Sequence, residues 1–374
     1  MLKSWVENPA TGKTEPAFKS PLSTHYRDPR ETPAWQPGQG IVSPEERRAR
    51  WALALPKHVR LPAGPLPHII AIGGGKGGVG KSLLSANLST KLAEMGVKVL
   101  LADLDIGCAN LHTHFGIPAP ERSLADFVVR GSRSFAELPI QTGVNGLQLV
   151  AGGREDDWNN KLAVGGSGFL NLWNALLRSK LDLGVDVLLL DLGAGTHQHT
   201  MDFFSLAHCG IVVVLPEPTS IENAYVFLKT ALWRFIENVG HRAGASALAG
   251  DVKAAICGPD PKGAGRGYAE RLRSLAPLHP LLVRHIFSAL GERNIGIVVN
   301  QTRTQQDIDI GSSMEMICQK YFGFHARYLG NLNYEESVWK AVRKRRLLVH
   351  DAPESGLSVR FGELAQRVLS GILY

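Results

Sequence analysis

Short runs of consecutive apolar residues recur along the chain from residue 67 onward, and valine, isoleucine and leucine dominate them. Most lack the alternation of apolar and polar positions that marks a strand with one face in water. A run that is apolar throughout is typical of a strand covered on both faces, as in a parallel sheet. Six such strands are predicted, at residues 68–73, 97–103, 146–152, 185–191, 210–216 and 295–300.

Segments with the helical spacing of apolar residues lie between the predicted strands. They cover residues 81–95, 160–180, 199–207, 220–238 and 304–321. Neighbouring parallel strands require crossover connections, and the alternation of strand and helix supplies them. The pattern therefore predicts an α/β domain over residues 67–374, built on a doubly wound, mostly parallel sheet.

One connection within this domain is longer than an ordinary helix-to-strand turn. Residues 240–292 separate the predicted helix at 220–238 from the predicted strand at 295–300. We expect one or two additional helices in this insertion, with the sequence GPDPKGAGRG, residues 258–267, as its loop.

The first 66 residues differ in composition from the rest of the chain. Eleven of the 21 prolines lie within the first 67 residues, and apolar periodicity is weak there. Such a segment buries too little apolar surface to offset its ordering entropy, so residues 1–66 are predicted to be a largely disordered extension. One short helix is expected inside it, because Ser43 and Glu46 can form a capping box and Pro44 suits the first turn. We expect this helix to be transient; the alternative is that Trp51 docks it on a partner.

Composition narrows the functional classes only slightly. The net charge of +7 and the pI near 9.2 are compatible with an anionic partner, whether nucleotide, DNA or membrane surface. The four cysteines lie far apart without a C-x-x-C pair, so no disulfide framework, zinc site or iron–sulfur cluster is expected. Two H-x-H pairs, at 112–114 and 197–199, lack a clear third ligand and are not expected to bind a metal.

No secretory signal and no apolar stretch of about 20 residues is visible, which predicts a cytoplasmic location.

The most informative motif lies between the first predicted strand and the first predicted helix of the domain. Residues 75–82, GKGGVGKS, match the phosphate-loop pattern G-x-x-x-x-G-K-[ST]. Glycines let backbone N–H groups approach phosphates, and the amino end of the following helix carries a partial positive charge. Lys81 is expected to contact the β- and γ-phosphates and to act in catalysis, while the Ser82 hydroxyl is expected to bind Mg²⁺.

The loop contains an earlier lysine, Lys76, and the sequence KGGVGKS resembles the deviant Walker A motif of the MinD/ParA group of P-loop ATPases. The resemblance implies that Lys76 acts in catalysis by crossing a dimer interface to the phosphates of the partner's ATP. It therefore implies an ATP-dependent homodimer with the nucleotides between the two subunits. The loop residues expected to contact ATP are Gly75, Lys76, Gly77, Gly78, Val79, Gly80, Lys81, Ser82 and Leu83.

Acidic residues follow two of the predicted strands. Asp103 and Asp105 stand at the end of one, and Asp191 ends another in a Walker B-like pattern followed by Gly193 and Gly195. Ligands of open parallel sheets bind at the carboxyl ends of the strands, where these residues lie. By resemblance, Asp103 and Asp191 support Mg²⁺, and Asp105 is the catalytic residue that orients or activates the attacking water.

Asn300 ends the last predicted strand, where members of the MinD/ParA group use an asparagine side chain against adenine. The sequence LPEPTSIENAY, residues 215–225, also resembles the P-E-P-T segment of that group. No [NT]-K-x-D motif for guanine occurs in the chain. ATP with Mg²⁺ is therefore expected rather than GTP.

The sequences GCANLH, DLGAG and PEPT together resemble the FlhG (FleN)-like branch most closely. That branch implies a slow, partner-stimulated ATPase that positions a cellular structure, such as a flagellum or the division site. The implied partners are a protein activator and a non-specific DNA or membrane surface, with recruitment to a membrane, a pole or the nucleoid. The alternatives are a ParA-like DNA-partitioning ATPase, an Mrp-type iron–sulfur carrier ATPase, which the missing C-x-x-C pair disfavours, and a metabolic ligase that shares the fold.

Two features near the carboxyl terminus remain open. The basic run WKAVRKRRLL, residues 339–348, either contacts DNA phosphates or is a solvated helix end. The last segment is expected to be a closing helix packed on the sheet rather than a membrane-binding helix. Its predicted apolar face consists of Val359, Phe361, Leu364, Val368, Leu369 and Leu373.

Overall fold

The computed structural model describes residues 5–7, 14–16, 43–57, 59–106, 108–130, 134–153, 167–257, 267–323 and 325–373. Within these ranges the chain forms an eight-stranded sheet with helices on both faces. A two-stranded antiparallel pair, β1 (Trp5–Glu7) with β2 (Thr14–Pro16), precedes it. The predicted α/β architecture with a mostly parallel sheet is confirmed.

The strands of the main sheet are β3 (His68–Gly73), β4 (Val99–Leu104), β5 (Ile140–Gln141), β6 (Leu147–Val150), β7 (Val187–Leu192), β8 (Cys209–Val214), β9 (Asn294–Thr302) and β10 (His325–Asn333). Their spatial order is β10–β9–β8–β3–β7–β4–β6–β5, and all neighbours are parallel except β5 and β6. All six predicted strands are present, with ends that agree within two residues. The prediction lacks β5, which spans only 2 residues, and β10, because this edge strand mixes exposed and buried positions and has no continuous apolar run.

The helices are α1 (Pro44–Ala52), α2 (Lys81–Glu94), α3 (Ser167–Leu183), α4 (Gln198–Leu206), α5 (Pro218–Arg242), α6 (Ser246–Cys257), α7 (Tyr268–Ser274), α8 (Pro280–Gly291), α9 (Gln305–Ile317), α10 (Glu336–Arg343), α11 (Leu348–Asp351) and α12 (Gly356–Leu373). Short 3₁₀ helices cover Leu111–Phe115 and Phe135–Glu137, and π-helical turns cover Asp126–Arg130 and Cys318–Phe322. Each predicted helix of the domain is present; residues 160–166 of the one predicted at 160–180 lie outside the described residues.

The insertion predicted at 240–292 contains three helices, α6, α7 and α8, rather than one or two. The difference arises because α7 spans only 7 residues, too few for helical periodicity to be recognised. The preceding helix, α5, extends to Arg242 and takes up the start of the predicted insertion. Residues 258–266 of the predicted loop lie outside the described residues.

The sheet separates two hydrophobic cores, because successive side chains of a strand point to opposite faces. On β3, Ile69 and Ala71 contribute to one core, while Ile70 and Ile72 contribute to the other. The first core lies under α4, α5 and α8, and the second under α2 and α12. This two-sided burial is why the central strands are apolar throughout.

The segment from residue 43 packs on the domain, which corrects the expectation of a transient helix there. Ser43 caps α1 as predicted by accepting a hydrogen bond from the Glu46 N–H at 3.1 Å, but the Glu46 carboxylate accepts from Arg50 at 2.6 Å rather than completing the predicted capping box. Trp51 is only 2% exposed, and its ring stacks on His208 at a centroid distance of 4.5 Å. Buried polar side chains also bind the backbone of this segment: Asn238 donates to the Ala54 oxygen. The extension predicted for residues 1–66 therefore ends in a packed segment.

The closing helix α12 packs on the domain as predicted. Phe361, Leu364 and Val368 are buried in the core that also contains residues of α2. Val359, predicted on the apolar face, is instead 56% exposed. Among the helices of the described residues, none is long and apolar enough to cross a membrane.

Candidate functional site

The glycine-rich loop follows β3 at the carboxyl edge of the sheet, and its own packing requires glycine. A Cβ on Gly75 would lie 2.0 Å from the backbone oxygen of Asn223 on α5, and one on Gly80 would lie 2.2 Å from Asn300 Nδ2. Gly78 and Gly80 have positive φ angles of 76° and 96°. The outer side of the loop is open, since a Cβ on Gly77 or Gly78 would meet no described atom within 4 Å. A phosphate group therefore fits against the backbone there without a steric obstacle.

The amino end of α2 faces the same loop. The helix begins at Lys81, and its N-cap residue is Gly80, which has no side chain to satisfy the first backbone N–H groups. Free N–H groups and the helix dipole together favour an anion at such an end. The loop and the helix thus form a cradle that suits a phosphate group.

Two aspartates meet beside the cradle. The parallel pairing of β4 with β7 places Asp103 directly opposite Asp191, and each residue is 1% exposed. Burial raises the pKa of Asp191 to about 6, although hydrogen bonds from Ser82 and Ser85 and the charge of Lys81 lower it. Burial and the nearby charge of Asp191 raise the pKa of Asp103 well above its usual value. The positive charge near the two carboxyl groups is therefore too small to offset the effect of burial on their pKa values.

Lys81 is buried next to these carboxyl groups, with 7% of its surface exposed. Burial lowers the pKa of Lys81, while the charges of Asp191 and Asp105 act to raise it. Lys81 thus interacts with Asp191 and Asp105, and the charges of these two carboxylates also act on Asp103. A divalent cation would supply the missing positive charge.

The residues present fit Mg²⁺ bound together with a nucleotide. Mg²⁺ prefers oxygen ligands and commonly uses one or two carboxylates, waters and substrate phosphates. Ser82 and Ser85 both donate to Asp191, the latter over 2.8 Å, so a hydroxyl and a carboxylate already lie side by side. Among the described residues, this site included, no group of three or more His, Cys, Asp or Glu side chains is arranged to hold a metal ion, so the Ser82 hydroxyl, waters and phosphates would have to complete the ligand set.

Asp103 also organises the segment that follows β4. Its Oδ1 accepts a hydrogen bond from the Asp105 N–H at 3.2 Å, and its Oδ2 accepts one from the Leu111 N–H at 3.0 Å. Leu111 begins the 3₁₀ helix Leu111–Phe115. A change in the charge on Asp103 would therefore directly alter the hydrogen bonds that position this segment.

Asp105 faces the second glycine-rich segment. A Cβ on Gly193 would lie 2.8 Å from Asp105 Oδ1, so only glycine permits this approach. The Gly195 N–H donates to the Gly74 oxygen at 3.2 Å, which joins the segment after β7 to the phosphate loop. The residues predicted as loop, water-orienting and Walker B-like elements are thus brought together at one edge of the sheet.

Lys76 and Asn300 have partners within the chain. Lys76 Nζ lies 3.4 Å from Glu217 Oε2 and 3.5 Å from Thr219 Oγ1. Asn300 is 4% exposed, and its Nδ2 donates to the Val79 oxygen at 2.8 Å. Asn300 therefore holds the phosphate loop through its side-chain amide, an interaction that the sequence does not predict.

Other residues of the site are also not identified by the sequence motifs. Ser85 follows Ser82 by three positions, which places both on the same side of α2, and this spacing is the signal that could have identified it. Gln301, which follows Asn300, has a positive φ of 59° although it is not glycine. Glu217 lies inside the P-E-P-T segment, but no sequence spacing relates it to Lys76.

A family model described as the CobQ/CobB/MinD/ParA nucleotide binding domain matches residues 70–349. This range includes the phosphate loop, the three aspartates and Asn300. It also covers most of the chain and most of the eight-stranded sheet.

Two curated bacterial proteins are similar in sequence. The antiactivator FleN of Pseudomonas aeruginosa is 26% identical over 302 residues, which cover 80% of this chain and 85% of FleN. The flagellum site-determining protein YlxH of Helicobacter pylori is 34% identical over 160 residues, covering 43% of this chain and 52% of YlxH.

Solved structures share the fold. The septum site-determining protein MinD of Pyrococcus horikoshii, complexed with Mg-ADP, aligns with a TM-score of 0.52 at 21% identity, over 82% of this chain and 98% of MinD. MinD in the MinC:MinD complex of Aquifex aeolicus aligns with a TM-score of 0.51 at 21% identity, over 81% of this chain and 96% of that chain. The fold is therefore MinD-like.

Proposed function

Since the chain belongs to the CobQ/CobB/MinD/ParA family of nucleotide-binding proteins, we propose that it is a MinD/ParA-type ATPase that works as a dimerisation switch. ATP binding would join two copies, and slow hydrolysis, stimulated by a protein activator, would separate them. The protein would act in the cytoplasm and be recruited from there to the surface on which it works.

The observation that carries this proposal is the convergence of three segments at one sheet edge. The glycine-rich loop lies beside Asp103 and Asp191, which stand opposite each other in the parallel pairing of β4 with β7. The Asp105 carboxylate lies close against Gly193. This arrangement supplies a phosphate site, a magnesium site and a carboxylate that can orient water, all on one sheet edge.

The chain's own residues would divide the work as follows. The loop from Gly75 to Ser82 binds the phosphates through its N–H groups, with Leu83 continuing the helix behind it, and Lys81 contributes its charge. Ser82, Asp103 and Asp191 hold Mg²⁺, which supplies charge neutralisation at the phosphates. Asp105 orients the attacking water and accepts its proton. Lys76 contacts the phosphates bound to the second subunit.

A role in placing a cellular structure is the favoured biological context. FleN is named an antiactivator and YlxH a flagellum site-determining protein, so control of flagellar number or position is the first candidate. Septum placement by the MinD-like fold and DNA partitioning by a ParA-like mechanism are the alternatives within the same switch mechanism. An Mrp-type iron–sulfur role is disfavoured, because the four cysteines lie far apart in the sequence without a C-x-x-C pair.

Sedimentation velocity and phosphate release test the proposal with three proteins. The natural chain should hydrolyse ATP slowly and dimerise with ATP and Mg²⁺ but not with ADP. Lys81→Ala should lose hydrolysis. Asp105→Ala should bind ATP, lose turnover and accumulate as a dimer.

Asp251→Ala, a change at an exposed aspartate of α6, is the matched control and should behave as the natural chain. A natural chain that remains monomeric with saturating ATP and Mg²⁺ contradicts the dimer. Normal turnover in Asp105→Ala contradicts the role given to that carboxylate.

A further inference from the structure

A pair of histidines follows the glycine-containing segment after β7. His197 is the N-cap residue of α4 and is exposed, while His199 lies in the first turn of that helix and is half-buried. Their rings stack with centroids 5.8 Å apart and planes inclined by only 4°. Among the described residues, none holds a ring nitrogen of either histidine in a hydrogen bond. These nitrogens are therefore able to accept or release a proton.

The pair lies beside the segment that contacts both the phosphate loop and Asp105. A Cβ on Gly195 would lie 3.9 Å from Cδ2 of His197, and the Gly195 N–H donates to the Gly74 oxygen at 3.2 Å. Two residues earlier, Gly193 lies close against the Asp105 carboxylate. The first turn of α4 is therefore held at the edge of the sheet where Asp105 would orient the attacking water.

The groups that act electrostatically on His199 are Asp202, Asp105 and its stacking partner His197. Asp202 lies three positions further along α4 and is bound by the Arg234 guanidinium of α5 through two hydrogen bonds of 2.6 and 2.9 Å. Asp105 approaches from another element, the segment after β4. Because Arg234 offsets the charge of Asp202, Asp105 is the carboxylate with which His199 can exchange a proton.

The position of His199 favours a neutral imidazole. Burial lowers the pKa of His199 and so does the neighbouring His197, while the charges of Asp202 and Asp105 act to raise it. The positive amino end of α4 also disfavours an imidazolium in the first turn. An imidazole is ordinarily a stronger base than a carboxylate. A neutral imidazole beside a carboxylate can therefore take a proton that the carboxylate has collected.

We propose that His199 assists Asp105 in ATP hydrolysis by accepting the proton that this carboxylate takes from the attacking water. Asp105 removes the proton while the water oxygen bonds to the γ-phosphorus and the bond from that phosphorus to the β–γ bridging oxygen breaks. His199 then takes the proton on a ring nitrogen and releases it to solvent, which restores the Asp105 carboxylate. His199 acts through Asp105 rather than on the phosphates, so the inference rests on the proposed function.

The pH dependence of turnover tests the inference with the full-length chain, ATP and Mg²⁺. His199→Gln keeps a polar side chain of similar size that cannot take the proton. Its kcat should be about tenfold below that of the natural chain at pH 7.5, with KM unchanged, a smaller loss than that of a direct general base. The ratio of the two kcat values should approach one as the pH falls to about 5, because a protonated His199 no longer accepts a proton.

Added imidazole provides a check against a merely structural effect. His199→Ala leaves space beside Asp105, so free imidazole should raise the turnover of this variant. His241→Gln, at an exposed histidine near the opposite end of α5, is the matched control and should keep the natural turnover at every pH.

An NMR titration of the histidine rings without nucleotide gives a readout that does not depend on activity. The His199 signal is identified by its absence from His199→Gln. Its pKa should be lower in Asp105→Asn, because a nearby negative charge that favours the imidazolium is lost. Asp251→Asn, at an exposed aspartate of α6, is the control and should leave this pKa unchanged.

The outcomes separate this inference from the proposed switch. A kcat ratio that does not change with pH overturns the inference, and so does a His199 pKa that is equal in the natural chain and in Asp105→Asn. Neither result affects the proposed function if the natural chain hydrolyses ATP and dimerises. A natural chain that hydrolyses no ATP at any pH contradicts the proposed function and the proton transfer together.

Discussion

Lys76 Nζ lies 3.4 Å from Glu217 Oε2 of the same chain, so the lysine of the phosphate loop is paired with the segment that opens α5. Under the proposed function, Lys76 must leave this partner to reach the phosphates of a second subunit. Both side chains are about half exposed, at 42% and 54%, and exposed ion pairs contribute little free energy. The pair is therefore a weak restraint on dimerisation that ATP can overcome.

Replacing Glu217 with alanine should strengthen the ATP-bound dimer. The variant no longer restrains Lys76. Loss of this exposed ion pair should lower the dissociation constant of the dimer about two- to fivefold. Sedimentation velocity over a concentration series with ATP and Mg²⁺ measures this constant. Glu222→Ala, at an exposed glutamate in the first turns of the same helix, is the matched control and should leave it unchanged. A weaker dimer for Glu217→Ala would mean that Glu217 itself contributes to the interface.

The buried carboxyl of Asp191 should make the nucleotide-free protein less stable as the pH rises from about 4 to about 6. Its folded pKa of about 6 exceeds the ordinary aspartate value of 3.8, so the folded protein binds more protons than the unfolded chain in that window. Asp191→Asn cannot titrate, and its free energy of unfolding relative to the natural chain should rise across the window by roughly 1 to 3 kcal/mol.

Urea denaturation between pH 4 and 7.5, without Mg²⁺ or nucleotide, measures the difference between the two proteins. Asp251→Asn, at an exposed aspartate, serves as the control and should give a difference that is independent of pH. Adding ATP and Mg²⁺ at pH 7.5 should stabilise the natural chain more than Asp191→Asn, because the proposed Mg²⁺ site needs the carboxylate that the variant lacks. A flat difference curve for Asp191→Asn would contradict the raised pKa.

Trp51 should be a major contributor to stability although it precedes the predicted domain. Its ring is 2% exposed and stacks on His208, so Trp51→Ala should lower the free energy of unfolding by about 3 to 5 kcal/mol. Trp339→Ala is the matched control, since that ring is 60% exposed and its loss should change stability by less than about 0.5 kcal/mol. Equal unfolding midpoints for the two variants in urea would show that residues 43–59 do not stabilise the domain.

The contrast between these two tryptophans illustrates what the sequence can predict. The central strands follow from apolar runs such as residues 187–192, because burial on both faces leaves a pattern within the strand itself. The aspartates follow as well, since parallel strands bring their carboxyl ends to one edge and Asp103 is in register with Asp191. Local patterns thus predict the core of the fold and the residues that meet at the candidate phosphate and magnesium site.

Contacts between distant segments leave no such pattern. Trp51 stacks on His208, and the partner of Asn300 is the backbone of Val79. A side chain bound to a backbone oxygen makes no demand on the identity of its partner, so no pair of residue types records the contact. The packed segment before residue 66 and the hydrogen bond from Asn300 to the Val79 oxygen therefore appear only in the folded chain.

Asn300 provides a test that separates its predicted contact with adenine from its observed contact with the loop. Its Nδ2 donates to the Val79 oxygen at 2.8 Å within a buried setting, and losing a buried hydrogen bond costs about 1 to 3 kcal/mol. If the loop contact dominates, Asn300→Ala should weaken ATP, GTP and inorganic tripolyphosphate by similar factors of about ten, because all three use the phosphate cradle. If the adenine contact dominates, only ATP binding should weaken.

Isothermal titration with the three ligands and Mg²⁺ distinguishes these outcomes. We expect the parallel loss, since the buried amide already donates to the Val79 oxygen and lies so close to Gly80 that a Cβ there would come within 2.2 Å of Asn300 Nδ2. Gln305→Ala, at an exposed residue of α9 shortly after β9, is the control and should bind all three ligands normally. Selective loss of ATP would instead assign Asn300 to the base and require the Val79 contact to break on binding.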